Sequence, residues 1–189
     1  MFYFKKLNHP GIIKAFEFST VMNCDPADFD VETGSLFFTL EYFPGNTIGD
    51  IDFSDDPTLL KEIIKQICST LFYLHLSDYI YFDLKTENIL CKIDDSTAKI
   101  RLIDMGFAAK QSEVTLQERR GSAEYIAPEL LQNKPFDHRV DLYSLGMLFI
   151  SLSLKNFPLA SYQRLKYTRH ISKRILQLDQ QKLFPGFQK

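Results

Sequence analysis

The sequence predicts an α+β domain, with short strands in its first half and helices dominating its second. Three observations lead there: two apolar runs flanking a turn-rich stretch near the N-terminus, a 3.6-period apolar stripe beginning at Pro57, and a second pair of short apolar runs between them and a strongly apolar segment at 140–154. At 189 residues, 45% of them hydrophobic and 24% charged, the chain has enough apolar material for one packed domain and little for a second.

The elements follow in order. Residues 1–7 are apolar and basic, and His9-Pro10-Gly11 stops whatever helix precedes it. Runs at 12–18 and 36–43, separated by the Asp/Pro/Gly-bearing stretch 23–34, read as two antiparallel strands with a long turn, and Pro44-Gly45-Asn46 ends the second. Ser54-Asp55-Asp56-Pro57 signals a helix start with Pro57 at the first helical position. Leu60, Ile63, Ile64, Ile67, Leu71 and Leu74 then form a core-facing stripe, predicting a helix to about His75. Segments 89–93 and 99–103 flank Asp94-Asp95-Ser96 as a hairpin, and 106–122 lacks periodicity and reads as a loop long enough to be functional. Residues 140–154, apolar around most of the helical circumference, predict a helix buried on all sides. A basic helical stretch follows at 162–178, before a tail with Phe184-Pro185-Gly186.

Charge and cysteine content exclude several function classes. The 22 Lys+Arg and 24 Asp+Glu leave a net charge of -2 with no long basic block, which argues against nucleic acid as a partner. Cys24, Cys68 and Cys91 are odd in number and widely spaced, fitting neither a disulfide framework nor a zinc ligand set. A reducing cytoplasmic compartment is expected, with the nucleus also open. The apolar stretch 145–154 is too short to span a bilayer and no signal-peptide pattern opens the chain, so no membrane partner is expected.

Chemistry-bearing residues cluster between 83 and 146. Asp83-Leu84-Lys85-Thr86-Glu87-Asn88-Ile89-Leu90 sets a carboxylate, a cation and an amide at fixed offsets before a strand. This segment resembles the protein kinase catalytic loop, in which such residues orient a hydroxyl, balance phosphate charge and hold magnesium. Leu102-Ile103-Asp104-Met105-Gly106 resembles the family's magnesium-binding Asp-Phe-Gly motif, with Met105 as an apolar, flexible plug in place of Phe. Gly121-Ser122-Ala123-Glu124-Tyr125-Ile126-Ala127-Pro128-Glu129 resembles the end of the activation segment, and Asp141-Leu142-Tyr143-Ser144-Leu145-Gly146 the start of the central buried helix. Each alone has a bland reading, a turn or a helix cap; the family order of all four carries the resemblance.

The resemblance implies a protein-kinase-like fold, mostly the helical large lobe (44–189) with a remnant of the small lobe and hinge (1–43). It implies ATP and Mg2+ as cofactors, and Ser/Thr-bearing protein substrates, with regulatory proteins as further partners. Asp83, Lys85 and Asn88 take the catalytic roles, with Asn88 and Asp104 on the metal. Leu40-Glu41-Tyr42-Phe43-Pro44-Gly45 looks like the adenine-gripping hinge: Leu40 as gatekeeper, backbone groups of Glu41 and Phe43 on the base, and Leu90 with Ile48 as its apolar floor. Glu129 and Asp141 are structural, Asp141 by accepting N–H bonds from the catalytic loop. Lys85 resembles Ser/Thr-directed members; Tyr81 and the Gly-Ser-Ala-Glu-Tyr wording resemble the cyclic-nucleotide-dependent branch.

Two departures stand out. Phe82 occupies the position where most of the family has an Arg that grips a phosphorylated loop, so phosphate on Ser112, Thr115 or Ser122 would lack a principal partner. The family's Gly-rich loop, strand Lys and helix Glu have no counterpart between Met1 and the hinge, and the Arg that pairs with Glu129 would follow Lys189. The expectation is of a chain incomplete at both ends, with weak or no activity in isolation. A pseudokinase or protein-binding module, and a fragment without function, are the competing readings.

Overall fold

The computed structural model describes residues 7–21, 34–53, 56–95, 97–115 and 120–153. Strands β1 (Ala15–Thr20) and β2 (Leu36–Leu40) pair antiparallel, with a register irregularity between Ala15 and Glu17. A three-stranded sheet orders β3 (Asn46–Thr47), β5 (Ile89–Asp94) and β6 (Thr97–Leu102), and β4 (Tyr79–Ile80) pairs with β7 (Ala109–Lys110). Helices α1 (Pro57–Leu76), α2 (Pro128–Leu131) and α3 (Arg139–Ser153) complete the α+β arrangement.

Local chemistry accounts for the helix boundaries. The Asp56 side chain accepts the Leu59 N–H at 2.8 Å and Pro57 fills the first turn, where its missing N–H costs nothing. Of the predicted stripe on α1, Leu60, Ile63, Ile67, Leu71 and Leu74 are buried and Ile64 is half-buried. That face packs on β6, whose Ala98, Ile100 and Leu102 alternate inward. Gln66 fastens the contact, donating to the Ala98 carbonyl at 2.7 Å and accepting the Ile100 N–H at 3.3 Å.

Several expectations are corrected. Ile12 and Ile13 are not in β1: Ile12 bridges Leu102 in parallel and the Ile13 N–H bonds the Leu102 carbonyl at 2.9 Å, burying both residues against β6. The turn at 9–11 lies tight on α1, since a Cβ on Gly11 would come within 1.9 Å of Thr70 Oγ1. Strand β2 ends at Leu40 rather than Phe43; the Glu41 N–H bonds the Lys14 carbonyl at 2.8 Å, one step further along the same antiparallel pairing, and the chain then enters Pro44-Gly45. The segment 106–122 carries β7 and a 3-10 turn at Gln111–Glu113, held where β7 pairs with β4. Helix α3 is not buried all round. Its interior face includes the polar Asp141 and Ser144, while Leu142 is 50% exposed, so apolar content alone misplaces the face.

Cys68 is exposed and Cys91 buried, both as free thiols, whereas Cys24 and the helix expected at 162–178 lie outside the described residues. Among the described residues no helix is long and apolar enough to cross a membrane.

Candidate active site

Residues 81–88 form a loop between β4 and β5, closed by a 3-10 turn at Thr86–Asn88. Its anchor is Asp141, fully buried in the first turn of α3. Asp141 Oδ1 accepts the Phe82 N–H at 2.8 Å; Oδ2 accepts the Tyr81 N–H at 2.9 Å and lies 2.8 Å from His75 Nε2 at the end of α1. A carboxylate can only accept, so the His75 hydrogen sits on Nε2. These bonds hold Phe82 at φ 67°, a left-handed conformation that costs a bulky residue about 1–3 kcal/mol. The Phe82 ring is sunk in a cluster with Ile80, Ile126, Leu130 and Val140, and meets Phe136 edge-on at 5.8 Å.

One residue along, the Asp83 carboxylate is 1% exposed and shared by three donors. Asn88 Nδ2 donates to Oδ2 at 2.7 Å and to the Asp83 carbonyl at 2.9 Å, Lys85 Nζ lies 2.9 Å from Oδ2, and Ser122 Oγ donates to Oδ1 at 2.7 Å. Lys85 Nζ also donates to Ser122 Oγ at 3.0 Å, closing a ring of carboxylate, ammonium and hydroxyl. Partial burial works to lower the Lys85 ammonium. The Asp83 hydrogen bond and charge, with Glu87 and Asp104 adding theirs, outweigh it and hold the group above its usual range. Ser122, which the sequence offered only as a phosphorylation candidate, is therefore a member of the site.

Asp104 is reached through the backbone, since the Ile103 N–H donates to the Asn88 carbonyl at 2.9 Å. It adopts φ 52°, a conformation Asp tolerates, and its exposed carboxylate accepts the Gly106 N–H on Oδ1 at 3.0 Å. It makes no side-chain bond to Asp83 or Asn88; Met105 beside it is buried in the main core. Tyr81 links the two segments by donating its phenol to the Ile103 carbonyl at 2.6 Å. Burial first, then the charges of Asp83, Asp104 and Asp141, push that phenol well above its ordinary pKa, so it stays a donor. Amide and carboxylate oxygens are the donors a magnesium ion takes, and two such oxygens carry no hydrogen bond among the described residues. Both atoms facing Asn88 Nδ2 are acceptors, which fixes the amide and leaves its Oδ1 uncommitted, and Asp104 retains Oδ2.

The residues that the resemblance assigns to the base lie in the segment 40–48 and in β5. Glu41 uses its own N–H on Lys14, and Phe43 its carbonyl on the Gly45 N–H at 2.9 Å; the Glu41 carbonyl and Phe43 N–H have no backbone partner among the described residues. Leu90 is half-buried and faces away from the core, opposite to Ile89 and Cys91. Ile48 departs from expectation: it is fully buried in the core and supports the layer from behind rather than presenting a surface to a ligand. Leu40 closes β2 and is partly exposed. Beside β5, Tyr42, Pro44, Ile51, Cys91 and Ile93 line a cleft of about 530 Å³.

The 120–129 segment locks onto the loop. Gly121 sits at φ 107°, and a Cβ there would come within 2.5 Å of the Phe82 carbonyl, so no other residue fits. The Ser144 hydroxyl of α3 donates to the Tyr125 carbonyl at 2.8 Å. Glu129 makes no ion pair among the described residues, and Arg139 closes on Asp137 instead.

A family model described as "Protein kinase domain" matches residues 1–188. Over 154 residues, 78% of this chain, it is 34% identical to calcium-dependent protein kinase 5 of Plasmodium berghei, covering 25% of that protein. It is 33% identical over 177 residues, or 89% of its length, to the serine/threonine-protein kinase TIO of Arabidopsis thaliana, covering 12% of it. Eukaryotic translation initiation factor 2-alpha kinase 1 of Plasmodium falciparum is 31% identical over 134 residues, 69% of the chain and 8% of the relative. The chain thus spans a quarter or less of these three proteins. None of the three is named as a cyclic-nucleotide-dependent kinase, so the leaning toward that branch finds no support here.

Proposed function

The chain belongs to the protein kinase domain family, and from that premise we propose that it transfers the γ-phosphoryl group of ATP to Ser/Thr hydroxyls of protein substrates. The observation that carries this reading is the Asp83 carboxylate, buried and shared by Asn88, Lys85 and Ser122. Ser122 Oγ bonds Asp83 Oδ1 and Lys85 Nζ together, so the fold already accommodates an alcohol between the two groups that a substrate hydroxyl needs.

In this reading Asp83 orients the incoming hydroxyl and receives its proton as the oxygen attacks phosphorus. Lys85, held cationic by its carboxylate neighbours, balances charge on the phosphoryl oxygens as the bond to the leaving diphosphate breaks. Asn88 Oδ1 and Asp104 would hold magnesium, which when bound neutralises phosphate charge and keeps the transferring group in line. Glu41 and Phe43 present backbone groups to adenine and Leu90 lies beneath it. Asp141 and Tyr81 contribute by fixing the loop, and a cytoplasmic setting fits the free thiols at Cys68 and Cys91.

The test is phosphotransfer from Mg-ATP to a mixed Ser/Thr peptide library, comparing a chain supplemented upstream with a Gly-rich loop, strand Lys and helix Glu with its Asp83→Asn variant. Loss of a positioned base lowers the rate by about 10²–10⁴, while Mg-ATP binding measured by thermal shift persists. Undiminished transfer by Asp83→Asn would remove Asp83 from the role. A chain so supplemented that binds Mg-ATP and transfers nothing would replace the reading with a nucleotide-binding module.

A further inference from the structure

Arg101 joins three segments. It sits in β6 opposite Leu90 of β5, and directly opposed residues of an antiparallel pair share a face. Arg101 therefore rises on the Leu90 side, away from the core-facing Ala98, Ile100 and Leu102. Its Nε donates to Glu41 Oε1 at 2.5 Å, and its Nη1 donates to the Pro10 carbonyl and to the Ile100 carbonyl, the latter at 3.0 Å. The guanidinium carbon stands 4.8 Å from the centre of the Phe43 ring. One side chain thus fastens the 41–43 segment, the turn at 9–11 and the strand opposite Leu90.

The arrangement needs a guanidinium. Its planar fork donates in two directions while its face lies over a ring, and an ammonium offers a single point of charge in their place. The Arg101 and Glu41 side chains are only 21% and 25% exposed, so the pair is screened less than an ordinary surface ion pair. Glu41 and Phe43 are also the residues whose backbone groups are assigned to adenine above. A segment held before the ligand arrives spares the ligand the cost of ordering it.

We propose that Arg101 is a positioning residue for purine recognition: it fixes 41–43 in the pose that receives the base, setting both nucleotide affinity and the preference for adenine over guanine. The proposal rests on the kinase reading given above. It also makes a statement about the nucleotide-free chain, because the clamp exists without ligand.

Arg101→Ala and Arg101→Lys in the full chain are compared by amide hydrogen exchange without nucleotide and by Mg-ATP and Mg-GTP affinity. In Arg101→Ala, exchange over residues 41–45 is expected to quicken by about tenfold with α1 unchanged, since only the local clamp is lost. The Mg-ATP Kd is expected to rise by about tenfold and the Mg-GTP Kd by less than about twofold, with Arg101→Lys between. Where turnover is measured, KM for ATP rises with little change in kcat, the signature of lost ground-state binding. Unchanged exchange over 41–45, or equal losses for both nucleotides, overturns the role of Arg101 alone. A native chain that binds neither nucleotide overturns the ATP reading and this role with it.

Discussion

Asp141 offers the sharpest test of how the loop is held. Its two oxygens receive the N–H groups of Tyr81 and Phe82 and the His75 ring, in a place where Tyr81 and Phe82 are 0% and 2% exposed and water cannot substitute. Each hydrogen bond to a charged acceptor contributes about 1.5–3 kcal/mol, and an orphaned buried N–H costs about 1–3 kcal/mol. Asp141→Ala orphans both backbone N–H groups as well as the His75 ring, and the two backbone groups alone give a loss of about 2–6 kcal/mol before relaxation, which approaches the whole stability of a small domain at about 5–15 kcal/mol. Asp141→Asn is the informative variant: one oxygen survives while the amide NH2 opposes a donor, for a loss of about 2–3 kcal/mol. Phe82 gains part of this back by leaving its left-handed conformation. Urea unfolding with a slope of about 2 kcal/mol/M should therefore show a midpoint lowered by about 1 M at unchanged slope, with turnover reduced because Asp83 adjoins Phe82. His75→Ala, which removes one donor and leaves both backbone bonds, serves as the comparison and should shift the midpoint by less than half as much. A midpoint for Asp141→Asn within about 0.3 M of the native value, or an equal effect of His75→Ala, would refute the assignment of the backbone bonds as the anchor.

Three further outcomes follow from the same geometry. Tyr81→Phe strands the Ile103 carbonyl and should lower unfolding free energy by about 1–3 kcal/mol, checked by chemical denaturation. Gly121→Ala forces a Cβ to within 2.5 Å of the Phe82 carbonyl at φ 107°, so the segment must move off the loop; protease cleavage between 106 and 129 should accelerate relative to native chain, and equal rates would count against the contact. Burial, then the charge of Glu62, lifts the Cys91 thiol to about 11. Between the ordinary thiol value and about 11 the folded chain keeps a proton that the unfolded chain has lost, so Cys91 contributes stability at neutral pH that is lost as pH rises through this window. Peptide mapping after iodoacetamide at pH 8 should find Cys68 labelled well before Cys91, and the reverse order would show that Cys91 is not shielded.

Local signals were legible and non-local ones were not. Pro57 behind Asp56 and the stripe on α1 mark that helix because capping and 3.6-periodicity act within a few residues of chain. The hairpin of β5 and β6 was equally plain, since Asp94-Asp95 stands between two alternating runs. Spacing within 83–90 brings Asp83, Lys85 and Asn88 together because the loop is short. Ile12 and Ile13 looked like strand continuation, yet their partner is Leu102, far along the chain, and no window of sequence contains that pairing. Ile48 could not be told from a surface residue of the same segment without knowing which side β5 covers. Ser122 and Arg101 were missed for a related reason: a hydroxyl in a polar loop and a cation on a strand's outer face read as solvated, and only tertiary placement gives them Asp83 and Glu41 as partners.

The burial of Phe82 has a consequence for how the segment after Asp104 is governed. Where the resemblance leads one to expect a cation reading a phosphate, this chain has an apolar stud seated among Ile80, Ile126 and Val140, with the Arg120 guanidinium 5.9 Å from its ring. The apolar contacts among these respond weakly to added salt, while their strength fades on cooling. The Phe82 part of the coupling between the two segments therefore follows temperature and side-chain volume, beside the charged ring of Asp83, Lys85 and Ser122 that joins them as well.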